Sequence, residues 1–287
     1  TSEFAEDNWP NVQLDGYGTL LVVFGKYVEQ TNRTNLVESY EKEISLLTSY
    51  LSKFATFSNY DMWEDSRFFG ENGCLHVSTL ACIYAGLSAV DEMDIDSIPS
   101  QKMDLSSIKS FVEDNFIDDN GELVKYIQKK NDETYSIPED SLNNIDSSMI
   151  LLSSPFNGSM YPSDHSLMKN ISERIERDLN EGGGVKRYPG DEFYDGGRWP
   201  MLSALQGISF LEEGNLSGAL RNYEWILDMQ DHNNHLIEQV PDNPESKICK
   251  DWYELWGKPT TPLLMGHGVS IIFFEELIRY IQLQSFR

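Results

Sequence analysis

The sequence predicts an all-α fold, a toroid of inner and outer helices. Apolar residues recur at helical spacing along most of the chain, and segments apolar nearly all round alternate with segments carrying one apolar face. Strand patterns, dividing linkers and letter repeats are almost absent. About nine helices are read in 287 residues, a length sufficient for one large domain with its own core. The whole chain, 1–287, is therefore read as one domain.

After a loop containing Trp9-Pro10, residues Tyr17, Leu20, Leu21, Phe24 and Val28 mark the first helix. Leu36, Tyr40, Leu47, Leu51 and Phe54 mark the second. The very apolar run from about 74 to 90 has the composition of an inner helix, and Cys74 and Cys82 are read as small core residues at or in it. Asp104 is placed to cap a helix through Leu105, Ile108 and Val112. Asp118-Asp119-Asn120-Gly121 is a turn, Leu123 to Ile127 a short strand, and Ile145 to Ile150 the start of a short helix. Ser163 or Asp164 starts the helix through Leu167, Ile171 and Ile175. The glycine-rich stretch 182–191 is read as a loop. It is not a phosphate loop, because it lacks the Gly-Lys-Ser/Thr ending. Helices follow through Met201, Leu205 and Ile208, then behind an Asn215 cap through Ala219, Tyr223 and Ile226. A last one runs through Val269, Ile272, Phe273 and Leu277.

Acids outnumber bases 47 to 22, giving a net charge of −25. A polyanionic chain repels a phosphate backbone and anionic lipid, so nucleic-acid and membrane partners are excluded as expectations. The spread of the acids fits a solvated surface suited to high salt, and equally a merely acidic protein. Cys74, Cys82 and Cys249 form neither a disulfide framework nor a zinc spacing, and no metal or cofactor is expected. The first residues lack the basic start and apolar centre of a signal peptide. The expected location is cytoplasmic, with secretion left open. The sequons at Asn32, Asn157, Asn170 and Asn215 matter only in a secreted protein.

The chemistry concentrates in Tyr60-Asp61-Met62-Trp63-Glu64-Asp65, which puts three carboxylates and two aromatic rings into six residues between helical patterns. Rings offer flat apolar faces to a sugar. A carboxyl beside a ring is partly desolvated, which raises its pKa and suits it to general acid work. The plain alternative is a polar helix entrance, where acids are favoured by the dipole. Glu238, in the loop Asn234–Val240, is the second carboxylate in a matching context, and only a closed fold could bring it to Glu64.

These residues fall into a pattern that resembles glycoside hydrolase family 15, the glucoamylases and their relatives. Tyr60 to Asp65 is similar to that family's Tyr-Asp-Leu-Trp-Glu-Glu segment. Trp9, Gln13, Asp15 and Gly16 are similar to its earlier Trp…Gln-x-Asp-Gly. Arg187-Tyr188-Pro189-Gly190-Asp191-Glu192-Phe193-Tyr194 resembles its Arg-Tyr-Pro-x-Asp-x-Tyr-Tyr loop, with Trp199 at the following Trp. Ile237-Glu238-Gln239 resembles the segment supplying the second carboxylate. The resemblance implies an (α/α)6 toroid and an inverting, exo-acting glycosidase releasing β-glucose from α-glucans or small α-glucosides. It implies Glu64 as general acid and Glu238 as general base, roughly 6.5–9.5 Å apart. It implies Trp9, Gln13, Trp63, Asp65, Arg187, Tyr188, Asp191, Trp199 and Gln239 as substrate-binding residues.

Several departures accompany it. About nine helices are read where the family barrel has twelve, so the domain is expected to lack the first ones, and a partner chain or homodimer to cover the open side. Asp65 stands where the family has Glu. The stretch Leu264-Met265-Gly266-His267-Gly268 differs from the family's run there, and His267 is read as a core or supporting residue rather than a catalyst. The alternatives are a trehalase or another α-glucosidase of the family, a non-catalytic carbohydrate-binding or regulatory module, and a half-enzyme needing a partner.

Overall fold

The computed structural model describes residues 12–65, 73–93, 95, 105–130, 134–142, 145–153 and 160–285. Trp9 and Asp104, two of the residues singled out above, lie outside them. Contacts gather into two compact units. One is Thr1–Asn143 with Phe156–Tyr161, and the other is Asn144–Pro155 with Pro162–Arg287.

The first unit is built on α1 (Asp15–Thr31), α2 (Asn35–Ser39), α3 (Glu41–Phe54), α4 (Val77–Glu92), α5 (Leu105–Asn115) and the short α6 (Glu139–Leu142). An antiparallel sheet of β1 (Cys74–His76), β2 (Tyr126–Lys129) and β3 (Tyr135–Ser136) lies in the same unit, with His76 opposite Tyr126. Helix α4 is buried nearly all round, as its composition predicted. Its closest neighbour is α1, and the approach depends on glycine. A Cβ on Gly86 would sit 2.7 Å from both Cα and the carbonyl oxygen of Gly18, and one on Gly18 would sit 2.2 Å from the Cys82 carbonyl oxygen. Backbone, unlike a flexible side chain, has little room to yield. Gly86→Ala should therefore cost about 1–3 kcal/mol of stability, the usual cost of overpacking. A lowered urea midpoint at unchanged slope would register it, and an unchanged midpoint would show that the two helices can separate freely.

The second unit contains a 3-10 turn (Ser147–Leu152), α7 (Ser166–Asp178), α8 (Pro200–Glu212), α9 (Leu216–Asp228), α10 (Lys247–Trp256) and α11 (Leu264–Ser285). Its small antiparallel sheet is β4 (Asn180–Glu181), β5 (Gly184–Lys186) and β6 (Arg198–Trp199). Helix α8 is its buried centre, starting with Pro200 in the first turn, where a missing N–H costs nothing. Phe273 of α11 fills the space over Gly207, and Ile226 and Leu236 join the same core. Asn215 caps α9 by accepting from the Gly218 amide at 3.0 Å, as expected.

The helical class holds, and nine of the described α-helices span ten residues or more. The agreement in number conceals differences. The stretch 36–54 breaks at Tyr40 into α2 and α3. Cys74 is in a strand rather than a helix, though it is buried as expected. The strand expected at Leu123–Ile127 falls at Tyr126–Lys129, with Leu123 in an isolated bridge to Ile117. Helix α7 is capped by His165, whose Nδ1 accepts from the Leu167 amide, and not by Ser163 or Asp164. The glycine-rich loop is a β-hairpin. Gly182 and Gly183 both have positive φ, at 63° and 104°, the conformation a two-residue hairpin turn requires. Helix α10 was not anticipated at all. Its apolar letters, Ile248, Cys249, Trp252, Tyr253, Leu255 and Trp256, do recur at helical spacing, but only Cys249 among them is buried.

Candidate active site

The sequence-predicted residues form two groups, one in each unit. In the first unit, the Tyr60 amide donates to the Val12 carbonyl at 2.9 Å, and the Asn59 amide to the Cys74 carbonyl at 3.1 Å. These bonds hold the Tyr60–Asp65 segment against the entrance of α1, so that Gln13 and Asp15 lie in the same neighbourhood. The segment is organised by Asp61, which is 1% exposed. One of its carboxylate oxygens accepts from the amides of Trp63 and Asp65, each at 3.1 Å, and its carbonyl accepts from the Glu64 amide at 3.1 Å. A side chain that bonds the backbone just ahead of it is the usual way an Asp fixes a turn. The turn sets Glu64 at φ 59°, a left-handed conformation uncommon for a residue with a Cβ. Strain of this sort persists where surrounding bonds over-determine it, and Asp61 supplies them. Trp63, Glu64, Asp65 and Gln13 are each half-buried.

Asp15 was noted in the sequence only as part of a motif. Burial pushes its carboxyl up to about 6; a bond from its own backbone opposes the rise, and the charges of Asp61 and Glu64 add to it. These three acids therefore share one electrostatic site. The sign of the linkage follows. The folded form holds the Asp15 proton more tightly than the unfolded chain, so its contribution to stability is present below about pH 4 and lost as pH rises through about 6. Asp15→Asn should remove that dependence and gain about 2–3 kcal/mol at pH 7 relative to wild type. Denaturant unfolding at pH 4 and pH 7 reads it, and an equal difference at both pH values would refute it.

In the second unit, Arg187 and Asp191, both buried, form a paired ion bridge. Nε donates to Oδ2 at 2.6 Å, and a second guanidinium nitrogen donates to Oδ1. The guanidinium also lies 5.0–5.5 Å from the rings of Phe193, Tyr188 and Trp199. Such stacking with bidentate pairing suits Arg and not Lys. The Arg187 carbonyl accepts from the amide and hydroxyl of Ser147, which ties this loop to the 3-10 turn. Tyr194 and Asp195 both have positive φ, and the reversal turns Phe193 and Tyr194 onto Trp252 of α10. Trp252 closes the contact by donating from its indole to the Glu192 carbonyl at 2.8 Å.

Glu238 lies on a loop stitched at several points. The Leu236 amide donates to His267 Nε2 at 3.0 Å, the Glu238 amide to the Thr260 carbonyl at 2.8 Å, and Val240 bridges to Arg198. His267 thus supports the backbone that carries Glu238. Glu238 is half-buried, and burial raises its pKa from the ordinary value, against lowering by the Thr260 amide and the Arg187 charge. A general base works in its ionised form, and burial works against that form here. Gln239, next in sequence, is fully buried, and its Oε1 accepts from the Gly197 amide at 3.0 Å. Asp61, Lys125, Tyr194 and Trp252 were not selected as site residues. Asp61 and Tyr194 stood inside quoted motifs, whereas Lys125 and Trp252 carry no local signal.

Half-buried carboxylates beside tryptophan, and an arginine–aspartate pair stacked among aromatic rings in a helical framework, fit a carbohydrate-active class of protein. The particular family follows from comparison: the profile described as glycosyl hydrolases family 15 matches residues 2–251, and the chain belongs to that family. Membership assigns its helices to the (α/α)6 toroid class. The chain is similar to isomaltose glucohydrolase from Kribbella flavida, at 33% identity over 279 residues, covering 94% of this chain and 66% of the relative. It spans, then, just under two thirds of that relative's length. Among solved structures it is similar to a wild-type glycosidase, at 30% identity and TM-score 0.77, covering 94% of this chain and 67% of the other. A variant of a glycosidase in complex with glucose matches with the same TM-score at 29% identity.

Proposed function

We propose that this chain carries the catalytic carboxylates of an inverting, exo-acting glycoside hydrolase that releases β-glucose from small α-glucosides or the non-reducing ends of α-glucans. The observation that carries the proposal is the Asp61-fixed turn, which presents a half-buried Glu64 between Trp63 and Asp65, in one electrostatic site with Asp15 and Asp61. Glu64 protonates the leaving oxygen. Glu238 activates water; inversion in general needs two carboxyls roughly 6.5–9.5 Å apart. Trp9, Gln13, Trp63, Asp65, Arg187, Tyr188, Asp191, Trp199 and Gln239 bind the sugar. The name of the Kribbella flavida relative favours isomaltose, a small α-glucoside, over long glucans. The test is hydrolysis of isomaltose, maltose, maltooligosaccharides and trehalose, with the first-formed anomer followed by proton NMR. β-Glucose from isomaltose is expected. α-Glucose as first product would refute inversion, trehalose as the preferred substrate would make the protein a trehalase, and binding without hydrolysis would make it a carbohydrate-binding module.

A second feature favours a further helical layer supplied by a partner chain, a second copy or more of the same polypeptide. Leu264, Ile271 and Ile278 of α11, spaced seven apart and so on one face, are 84%, 57% and 56% exposed. A helix face of this kind marks an interface. Light scattering of the 287-residue chain should give a mass above the monomer, or reveal aggregation that a detergent suppresses. A well-behaved monomer with full activity would dismiss the half-enzyme reading.

A further inference from the structure

We propose that Lys125 is a positioning residue for the Tyr60–Asp65 turn, acting on Glu64 through Asp61. Lys125 Nζ lies 3.5 Å from Asp61 Oδ2, and the two side chains are 3% and 1% exposed. The other oxygen of Asp61 is the one that accepts from the amides of Trp63 and Asp65. The carboxylate is thus shared: one oxygen faces the ammonium, and the other shapes the turn in which Glu64 takes its left-handed conformation. A buried carboxylate without a cation would be driven to protonate or to swing toward water. Either change would weaken or release the two amides that fix the turn.

The position of Lys125 is itself fixed by a different part of the unit. Its carbonyl accepts from the Val77 amide at 3.1 Å, at the start of α4, and the next residue, Tyr126, pairs with His76 across β1 and β2. Backbone pairing of the small sheet therefore determines where the ammonium stands, and the ammonium determines how Asp61 holds the turn. This gives the sheet a role in positioning the candidate acid, in a fold whose class needs only helices.

The test uses the full chain and two variants. Lys125→Met keeps the stem and removes the charge. Lys125→Met combined with Asp61→Asn leaves a neutral pair, in which the amide oxygen still accepts from Trp63 and Asp65. In Lys125→Met, hydrogen exchange of the Trp63 and Asp65 amides should quicken at least about tenfold, the effect of weakening one accepting oxygen by about 1.4 kcal/mol, while amides within α4 and β2 keep their protection. The double variant should restore that protection. On isomaltose, kcat should fall about 10²-fold in Lys125→Met with KM changed little, the loss expected of a misplaced catalytic group, and recover at least about tenfold in the double variant. The kinetic readout rests on the proposed function, but the exchange readout does not. A wild-type chain without glucosidase activity would defeat that function and leave the amides to decide on Lys125. Unchanged exchange at Trp63 and Asp65 in Lys125→Met overturns the proposal, as does a double variant no better protected than the single. Should Lys125→Met be too unstable to purify, the double variant carries the test, and it must fold with both amides protected as in wild type.

Discussion

Glu64→Gln is expected to lower kcat on isomaltose by about 10²–10⁴-fold, the range that general acid catalysis contributes. KM should change by only a few-fold, because the amide keeps the shape and polarity of the acid while losing its proton. The same variant should lose far less on an aryl α-glucoside with an acidic phenol, since that leaving group departs without protonation. Glu238→Gln should fail on both substrates by a similar factor, because its partner water attacks in either case. The contrast between substrates separates acid from base without any structural measurement. Equal losses for both variants on both substrates would leave the roles unassigned to these positions, and normal turnover in Glu64→Gln would refute its role outright. The raised pKa of Glu238 sharpens the expectation for pH: the basic carboxylate forms at higher pH than an exposed glutamate, so the acid limb of kcat should lie above the usual carboxylate range.

The largest effect on stability is expected at Asp191. Asp191→Ala leaves the Arg187 guanidinium buried against Tyr188, Phe193 and Trp199 with its paired carboxylate gone, and it removes the acceptor of the Phe193 amide. Breaking a buried pair from one side costs about 3–5 kcal/mol. Asp146, whose charge also acts on Arg187, remains and should keep the loss toward the lower end. Replacing both members, as Arg187→Met with Asp191→Leu, should recover most of that stability, because no uncompensated charge stays inside. Guanidinium unfolding of the single and double variants measures the difference. A single variant within about 0.5 kcal/mol of wild type, the range of ordinary surface changes, would mean that water reaches this pair. Sugar binding should be lost in the double variant, where the ring stack around Arg187 loses its centre.

The helices and the two carboxylate loops were legible because their signals are local. Periodic apolar residues identify α1, α4, α8 and α11, and an acid cluster among aromatics identifies Tyr60–Asp65. Helix α10 was not read, and of the two small sheets only one strand was, three residues early, at Leu123–Ile127 for Tyr126–Lys129. The strands of these sheets are two to four residues long, too short for alternation to register, and α10 buries only Cys249, leaving Ile248, Leu255 and Trp256 exposed. The hairpin at Gly182-Gly183 shows the same limit from the other side: its glycines were visible, but the partner that makes them a turn is a strand of three residues.

Sequence alone determined the helical class, the family pattern and the choice of Glu64 and Glu238, because each depends on residue types at short range. Tertiary structure decided how those residues are held. Asp61 fixes the Glu64 turn because Lys125, far along the chain, is brought to it by strand pairing. His267 and Thr260 hold the Glu238 loop through bonds between segments that no spacing in the letters connects. Burial decided the electrostatics as well, raising Asp15 and Glu238 through the removal of water. Desolvation depends on everything that surrounds a group, and a linear sequence states only its neighbours along the chain.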